Sequence, residues 1–200
     1  MMLTEPLPLW QIIIPAMAVA LVALICLLRE MPFLRIVMLG VGGAVVYGIL
    51  QDQITVRLCP EYFTIAHLPI SGISNLSLLG TIWGFLGSWW AGLIAGTALA
   101  LCAVAGGGPR ISAGELIRPL MLTMLLVALF ALLAGIAAYL YVGTGKVSPG
   151  VPWDYVIPQS QHRVFITVAI VHLTAYVSAA ICGLGLCCHT VSRRKNRLRK

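Results

Sequence analysis

The sequence predicts an all-α integral membrane protein, a helical bundle with five transmembrane helices. Hydrophobic residues make up 60% of its 200 residues and charged residues only 10%, whereas soluble domains contain about 45–50% apolar residues. The apolar residues form continuous runs, and a helix needs roughly 20 such residues to cross a bilayer. Strands of a membrane barrel would instead alternate apolar and polar residues. We therefore expect residues 1–200 to form a single membrane-embedded domain.

The predicted spans follow one another with short connectors. They cover about residues 10–28, 34–50, 78–105, 116–142 and 164–188. The residues before the first span include no Lys or Arg, and no small-residue cleavage site follows, so we expect a retained helix rather than a secretory signal peptide. The last span precedes the basic segment 189–200, which we interpret as a cytoplasmic anchor at anionic lipids and not as a nucleic-acid-binding segment.

Glycines in the second and third spans indicate that each of these helices has a close partner. The third span contains two pairs at four-residue spacing, Gly80 with Gly84 and Gly92 with Gly96. The second span contains Gly40, Gly42, Gly43 and Gly48. Small residues at this spacing let helix backbones approach closely in a membrane. We expect packing within one chain, with a homo-oligomer or a partner membrane protein as the alternative.

The distribution of Lys and Arg predicts the orientation. One side of the membrane would carry Arg29, Arg35, Arg110, Arg118 and the six basic residues of the 189–200 segment. The other side would carry Arg57, Lys146 and Arg163. Because cationic segments stay in the cytoplasm, the bias predicts a multi-pass inner-membrane protein with its N-terminus outside and its C-terminus inside. The connectors 51–77 and 143–163 then share the extracytoplasmic face.

The segment 51–67 concentrates ionisable residues in a chain that has few. Asp52, Glu61 and His67 are its candidate catalytic residues, because carboxylates and histidines exchange protons near neutral pH. Tyr62 is a candidate for binding a cofactor or ligand. Tyr176 is a second, since it lies four residues after His172 on the same predicted helix face.

A divalent metal is the cofactor for which the sequence offers a reason. Glu61, His67, His162 and His172 are the candidate ligands, because imidazole and carboxylate groups bind such ions. His172 would lie about 12 Å below the outer end of the last span at 1.5 Å per residue. The sequence contains neither HExxH nor CxxC, so this site is a convergence predicted from topology and not a motif.

Two local patterns predict helix boundaries. Pro60 should end the helix that continues from the second span and place Glu61, Tyr62 and Phe63 in a new turn folded back over the bundle. Ser112 precedes Glu115 by three residues before an apolar run, which predicts a capping box and a structural role for that glutamate.

The run YGILQDQITVRLCPEYFTIAH at 47–67 resembles the signature YGxxxDQIxxRxxPEYFTxxH of an uncharacterised family of small bacterial polytopic membrane proteins. The runs at 84–96 and 107–120, together with His172 and Tyr176, are similar as well. The resemblance covers about residues 34–190. It implies a four-helix core to which the first helix is an addition, and it implies no activity.

Two function classes lead at this point, with a transporter as a weaker third because the chain shows no internal repeat, and the sequence does not decide whether the protein is an enzyme. The first is a membrane protein with a polar, metal-binding site on its extracytoplasmic side. The second is a non-enzymatic accessory or assembly subunit that docks a membrane partner through its outer loops. In that case Tyr62, Phe63 and Trp153 would be the contact residues.

Overall fold

The computed structural model describes residues 8–28, 31–70, 72–143 and 147–199. Within these ranges the chain is helical, as predicted. Its helices are α1 (Trp10–Leu28), α2 (Pro32–Leu58), α3 (Pro60–Thr64), α4 (Leu76–Val104), α5 (Ala113–Val142), α6 (Trp153–Val156) and α7 (His162–Leu198). A 3-10 turn at Gln159–Gln161 leads into α7.

Four of the described helices are long and apolar enough to cross a membrane. These are α2, α4, α5 and α7, which contain 27, 29, 30 and 37 residues. The predicted first span corresponds to α1, whose apolar part at Trp10–Ile25 is shorter than the other four. The structure therefore supports four spans, and the predicted N-terminal span, which would be a fifth, is not established.

The second span is longer than predicted, because α2 continues to Leu58 instead of ending near residue 50. No Gly or Pro interrupts residues 51–58, and the polar side chains there bond to their own helix. Thr55 Oγ1 donates to the Gln51 carbonyl at 3.2 Å, and Arg57 donates to Gln53. Asp52 and Arg57 thus belong to a helix and not to a connector. Pro60 begins α3, so the predicted break is confirmed.

The glycines of α4 pack closely within the chain, and the structure shows that their partner is α2. A Cβ added to Gly84 would lie 2.6 Å from Ile49 Cα, and one added to Gly96 would lie 2.7 Å from the Val37 carbonyl oxygen. Gly80 lies beside Asp52, so the low-numbered end of α4 meets the high-numbered end of α2. The two helices are therefore antiparallel neighbours, and we refer to this contact as the α2–α4 seam.

The predicted basic segment 189–200 is not a separate tail, because α7 stays helical to Leu198. The Arg194 guanidinium donates to the carbonyl oxygens of Cys102 at 3.0 Å and Ala105 at 2.7 Å, at the end of α4. Arg193 and Arg197 form ion pairs with Glu115. The capping box of Ser112 and Glu115 is confirmed. These basic residues fasten α7 to α4 and α5, which is a role beyond lipid anchoring.

The other end of the bundle carries α3 and α6, and we call it the α3 end. Phe63 is buried there among Val56, Ile70 and Leu79. A neighbouring cluster joins Cys59 to Phe165 and Val168 of α7. As predicted, α3 folds back over the helices, and it brings its aromatic residues toward α2 and α7.

Candidate functional site

Asp52 of α2 and His172 of α7 form a pair inside the bundle near the α3 end. His172 Nε2 lies 3.5 Å from Asp52 Oδ1, and the two side chains are 14% and 7% exposed. Ten residues separate His172 from the start of α7, which places it about 15 Å along that helix. The pair thus joins two ionisable groups, from different helices, at membrane depth.

Thr55 completes this pair and sets the proton position on the imidazole. Its hydroxyl donates to the Gln51 carbonyl, and its oxygen lies 3.2 Å from His172 Nε2. Because a hydroxyl has one hydrogen, the Thr55 oxygen acts as an acceptor toward the imidazole. When Asp52 is ionised, its carboxylate also only accepts, and both neighbours then place the hydrogen of a neutral His172 on Nε2. Its Nδ1 is then a proton acceptor.

An aromatic group covers the pair on the side of the α3 end. The Tyr62 ring lies 4.9 Å from His172 and 4.9 Å from His67. Phe63 contacts the same two imidazoles at 5.9 and 6.0 Å. Trp83 of α4 lies 4.6 Å from His67. These rings reduce the access of bulk water to Asp52 and His172, and the electrostatic interaction between them is correspondingly less screened.

His67 and Tyr62 are both uncharged at neutral pH. Burial lowers the pKa of His67, and the hydrogen bond from Nδ1 to the Tyr62 carbonyl at 2.7 Å offsets part of this effect. Burial raises the pKa of the Tyr62 phenol to about 12, with further contributions from Asp52 and Tyr176. Tyr62 and His67, which cover the Asp52–His172 pair, therefore carry no charge at neutral pH.

A cleft of about 630 Å³ extends from this pair toward the other end of the bundle. Its polar end is lined by Tyr47, Gln51, Asp52, His67, His172 and Tyr176. The remainder is apolar and includes Leu99, Leu120, Met124, Val127 and Leu186. Volumes of roughly 300–1,000 Å³ with few polar groups are typical of small-molecule sites.

A second cavity, of about 460 Å³, lies at the α3 end. Tyr62, His67, Trp153 and Phe165 line it together with Ser148 and Pro149 of the connector before α6. His67 lines both cavities, and Tyr62 contacts His172 from the side of the second one. Tyr62 and His67 thus form a partition between a cavity at the bundle end and the Asp52–His172 pair.

The structure brings together part of the predicted site. Asp52, His67 and His172 lie around the polar end of the cleft with Tyr62 and Tyr176, and the predicted shared face of His172 and Tyr176 is confirmed. Tyr176 also donates to the Gly87 carbonyl at 2.7 Å. Of the predicted catalytic residues, Glu61 is the one that faces elsewhere, since it accepts a hydrogen bond from Cys59 Sγ at 3.6 Å.

The predicted metal site does not form. His162 Nε2 is 2.9 Å from the Ile157 carbonyl oxygen, and Glu61 lies beside Cys59, so neither reaches His67 or His172. Across residues 8–28, 31–70, 72–143 and 147–199, no group of three or more His, Cys, Asp and Glu side chains is arranged to hold a metal ion. The turn at Pro60 explains this result, because it directs Tyr62 and Phe63 inward and separates Glu61 from the histidines.

The three residues named for partner docking differ in their exposure, because Phe63 is buried and the other two are half-buried. Phe63 is 1% exposed, Tyr62 packs on the two imidazoles, and the Trp153 ring lies 6.0 Å from Phe165. The exposed aromatic of this region is Tyr155. The accessory-subunit hypothesis therefore loses Phe63 as a contact residue and stays a prediction for Tyr62 and Trp153, which are half-buried.

Four site residues were missed from the sequence: Tyr47, Gln51, Thr55 and Trp83. Gln51 accepts a hydrogen bond from Tyr47 at 2.7 Å, one helical turn away. The four-residue spacing of Tyr47, Gln51 and Thr55 was visible in the sequence, and it would have extended the second span and placed Asp52 within it. Trp83 is different, because its role depends on contacts with α3 that spacing does not reveal.

Comparisons of the chain with protein-family models, with curated proteins and with solved structures find no match. The resemblance through the 47–67 signature therefore stays a prediction, and the site is interpreted from its own geometry.

Proposed function

We propose that this is a multi-pass protein of the inner cell membrane, oriented with its α3 end outside. In this proposal it binds a small molecule at the Asp52–His172 pair and exchanges a proton with it. The orientation follows from the basic residues that cluster at the opposite end, Arg110, Arg193, Arg194 and Arg197 among them, because such clusters mark the cytoplasmic side.

The observation that carries the proposal is the near-complete burial of Asp52 against His172. An ionisable side chain at membrane depth is costly, and such residues usually mark pathways or reactive sites. A purely structural pair would use the hydrogen-bonding groups of both partners. Here Asp52 and Thr55 both contact Nε2, and His172 lines the polar end of a cleft, so we assign the proton-accepting role to its Nδ1.

This arrangement supports acid–base chemistry by its own residues. His172 Nδ1 accepts a proton from a bound molecule, and Asp52 then stabilises the imidazolium through Nε2. The reverse transfer returns the proton. Tyr62 and His67 keep the pair dry, while the second cavity leads to them from the α3 end. The same step suits an enzyme or a proton-linked binding protein.

Carbodiimide labelling tests the proposal directly. These reagents modify a carboxyl group when it is protonated, and an apolar carbodiimide partitions into membranes. We expect dicyclohexylcarbodiimide to label Asp52 in membranes, with the site located by peptide mass spectrometry. A water-soluble carbodiimide should instead label Asp154 on the connector between α5 and α7. Failure of the apolar reagent to label Asp52 at acid or neutral pH would contradict the proposal.

The coupling of the pair is tested with variants. His172→Gln should change the rate of Asp52 labelling several-fold, because the imidazole 3.5 Å away interacts electrostatically with the carboxyl group. His162→Gln is the matched control, since its imidazole bonds to the Ile157 carbonyl and lies apart from the pair. Equal rates in the native chain and His172→Gln would show that the two groups are not coupled.

A reporter fused to the C-terminal end tests the orientation, and we expect it in the cytoplasm.

A further inference from the structure

We propose that the molecule bound at the Asp52–His172 pair is an amphipathic lipid with an uncharged, hydroxyl-bearing head, whose chain lies in the cleft between α4 and α7. This inference rests on the proposed function for the contact between the head and the pair. It adds the chemical class of the ligand and the direction from which the ligand arrives.

The length of the cleft fits a lipid chain. Its lining runs along α7 from His172 to Cys187, which is 15 residues or about 22 Å at 1.5 Å per residue. The hydrocarbon core of a bilayer is about 30 Å thick, so one leaflet contributes roughly half of that depth. A cleft of this length holds an extended chain that starts at the pair and passes the middle of the membrane.

The walls of the cleft open toward lipid. Where α4 and α7 face each other, the lining consists of small residues, Ala91, Ala95, Ala98, Ala179, Ala180 and Gly183. At the rim, Ile94 is 65% exposed and Leu184 is 67% exposed. Large apolar side chains exposed at a membrane-spanning depth face lipid. A chain therefore has lateral access to the cleft without crossing either end of the bundle.

Tyr176 marks the boundary between the polar end and the apolar remainder. Its hydroxyl donates to the Gly87 carbonyl at 2.7 Å, and its ring stacks on Trp90 at 5.8 Å. This bridge joins α7 to α4 one helical turn from His172. Beyond it the cleft is lined mainly by alanines, glycines and aliphatic residues, and the Thr123 hydroxyl there donates to the Pro119 carbonyl of its own helix. A molecule that fills the whole cleft must therefore be polar at one end only.

The polar end selects the head. Among the described residues that line the cleft, no Lys or Arg is present to neutralise a phosphate. Asp52 accepts hydrogen bonds, and buried Trp83 Nε1 is a donor for which the described part of the chain supplies no acceptor. A hydroxyl group satisfies both, because it donates to the carboxylate and accepts from the indole. An ammonium group donates only and leaves the indole unsatisfied.

The test uses three photoreactive probes that share one alkyl chain: a fatty alcohol, the matching amine and the matching phosphate. Each is cross-linked to the full chain in nanodiscs, and the modified residues are located by mass spectrometry. We expect the alcohol to label cleft residues of α4 and α7 most strongly. Ala95→Phe and Ala179→Phe should each reduce this labelling about tenfold, which corresponds to 1.4 kcal/mol of binding.

Matched variants separate the cleft from the lipid-facing surface. Ala137→Phe places the same ring on an exposed face of α5 outside the cleft, so it should leave labelling unchanged. Trp83→Phe should reduce labelling by the alcohol several-fold while labelling by the amine stays the same. Thermal unfolding of each variant confirms that it is folded, and two independent cleft variants guard against one that is not.

Several results would overturn the inference. Stronger labelling by the phosphate or the amine would exclude the uncharged hydroxyl head. Equal labelling of cleft and outer faces, or of Ala95→Phe and Ala137→Phe, would exclude the cleft as the chain site. The carbodiimide result stands apart: labelling of Asp52 without alcohol binding removes the lipid and keeps proton exchange. Alcohol binding without labelling of Asp52 removes proton exchange and keeps the lipid.

Discussion

One face of α4 packs against α2, while the adjacent face borders the cleft beside α7, although both faces carry small residues. On the first face, a Cβ added to Gly84 would lie 2.6 Å from backbone. On the second, the nearest atom to a Cβ added to Gly87 is the Tyr176 hydroxyl at 3.1 Å, and Ala91 and Ala95 line open space. α4 is thus tightly packed on the side that faces α2 and borders open space on the side that faces α7.

The difference lies in the neighbouring helices. α2 presents Gly40, Ala44 and Gly48 at four-residue spacing, so its backbone fits against the glycines of α4. α7 presents Tyr176, whose ring and hydroxyl bridge to α4 and leave space beside them. Small residues permit a close approach, and the partner surface decides whether it occurs.

The largest effect should come from the seam. Gly84→Ala inserts a methyl group against Ile49 Cα, and because backbone cannot move aside, α2 and α4 must separate. Overpacking of this kind costs about 1–3 kcal/mol, and we expect the upper part of that range, seen as a fall in Tm of roughly 5–10 °C in detergent.

Gly42→Ala is the control for this change. It lies on α2, and a Cβ there would meet nothing within 4 Å among the described residues. It should leave Tm unchanged or slightly raised, since Ala favours helix over Gly. Equal losses in Gly84→Ala and Gly42→Ala would show that the seam is no tighter than the rest of α2.

A smaller effect is expected at the polar end of the cleft. Thr55→Val keeps the side-chain shape and removes the hydroxyl that contacts His172 Nε2. Loss of one buried hydrogen bond should lower the free energy of unfolding by about 1 kcal/mol, measured by thermal or denaturant unfolding in detergent. In the control Thr97→Val, the lost hydroxyl bonds only to the Leu93 carbonyl of its own helix. A cost as large as that of Thr55→Val would remove the special role of Thr55.

Tyr176→Phe tests the bridge across the open side. The ring can still stack on Trp90, but the hydrogen bond to the Gly87 carbonyl is lost, so we expect a cost of about 0.5–1.5 kcal/mol. Without this bridge the distance between α4 and α7 should vary more. Cysteine pairs introduced on opposite sides of the cleft should then be joined by cross-linkers of a wider range of lengths. Tyr155→Phe, on a side chain that is 82% exposed, should change neither quantity. No change in Tyr176→Phe would assign the spacing of α4 and α7 to packing alone.

The smallest expected effect is a pH dependence of the unfolding temperature that arises from His67, which lines the cleft. Burial lowers the pKa of His67 below its ordinary value of 6.5. Between this lowered pKa and pH 6.5, the unfolded chain binds a proton that the folded chain does not. Stability contributed by neutral His67 is therefore complete above pH 6.5 and falls as the pH drops toward the folded pKa. Tm measured across this range should decline on acidification.

His67→Gln should flatten that decline, whereas His189→Gln, at the opposite end of α7, should not. Gly84→Ala should show the native pH slope at a lower Tm, because the added methyl group meets the backbone of Ile49 and Gly48, which carry no titratable side chain. An unchanged slope in His67→Gln would assign the acid sensitivity to another residue.

The helical class and the close packing at the glycines of α2 and α4 were predictable because each depends on local pattern, whereas the structure showed that these two helices are each other's partners. Long apolar runs must form helices in a membrane, where backbone groups need internal hydrogen bonds, and the spacing of Gly80 with Gly84 marks a close contact. The end of α2 was mispredicted for a physical reason: polar Gln51 to Arg57 resembles a connector, yet its side chains bond within the helix and to α4 and α7.

The sequence by itself determined which residues are candidates for chemistry, since ionisable groups are few and Asp52, His67 and His172 stand out against the apolar spans. It also determined the break at Pro60, because proline cannot continue the hydrogen bonding of a helix. Only the tertiary structure decided which of these residues meet. The turn of α3 faces Tyr62 inward and Glu61 away, and the separation of α4 from α7 creates the cleft. These are contacts between distant segments, and they depend on packing that no local pattern records.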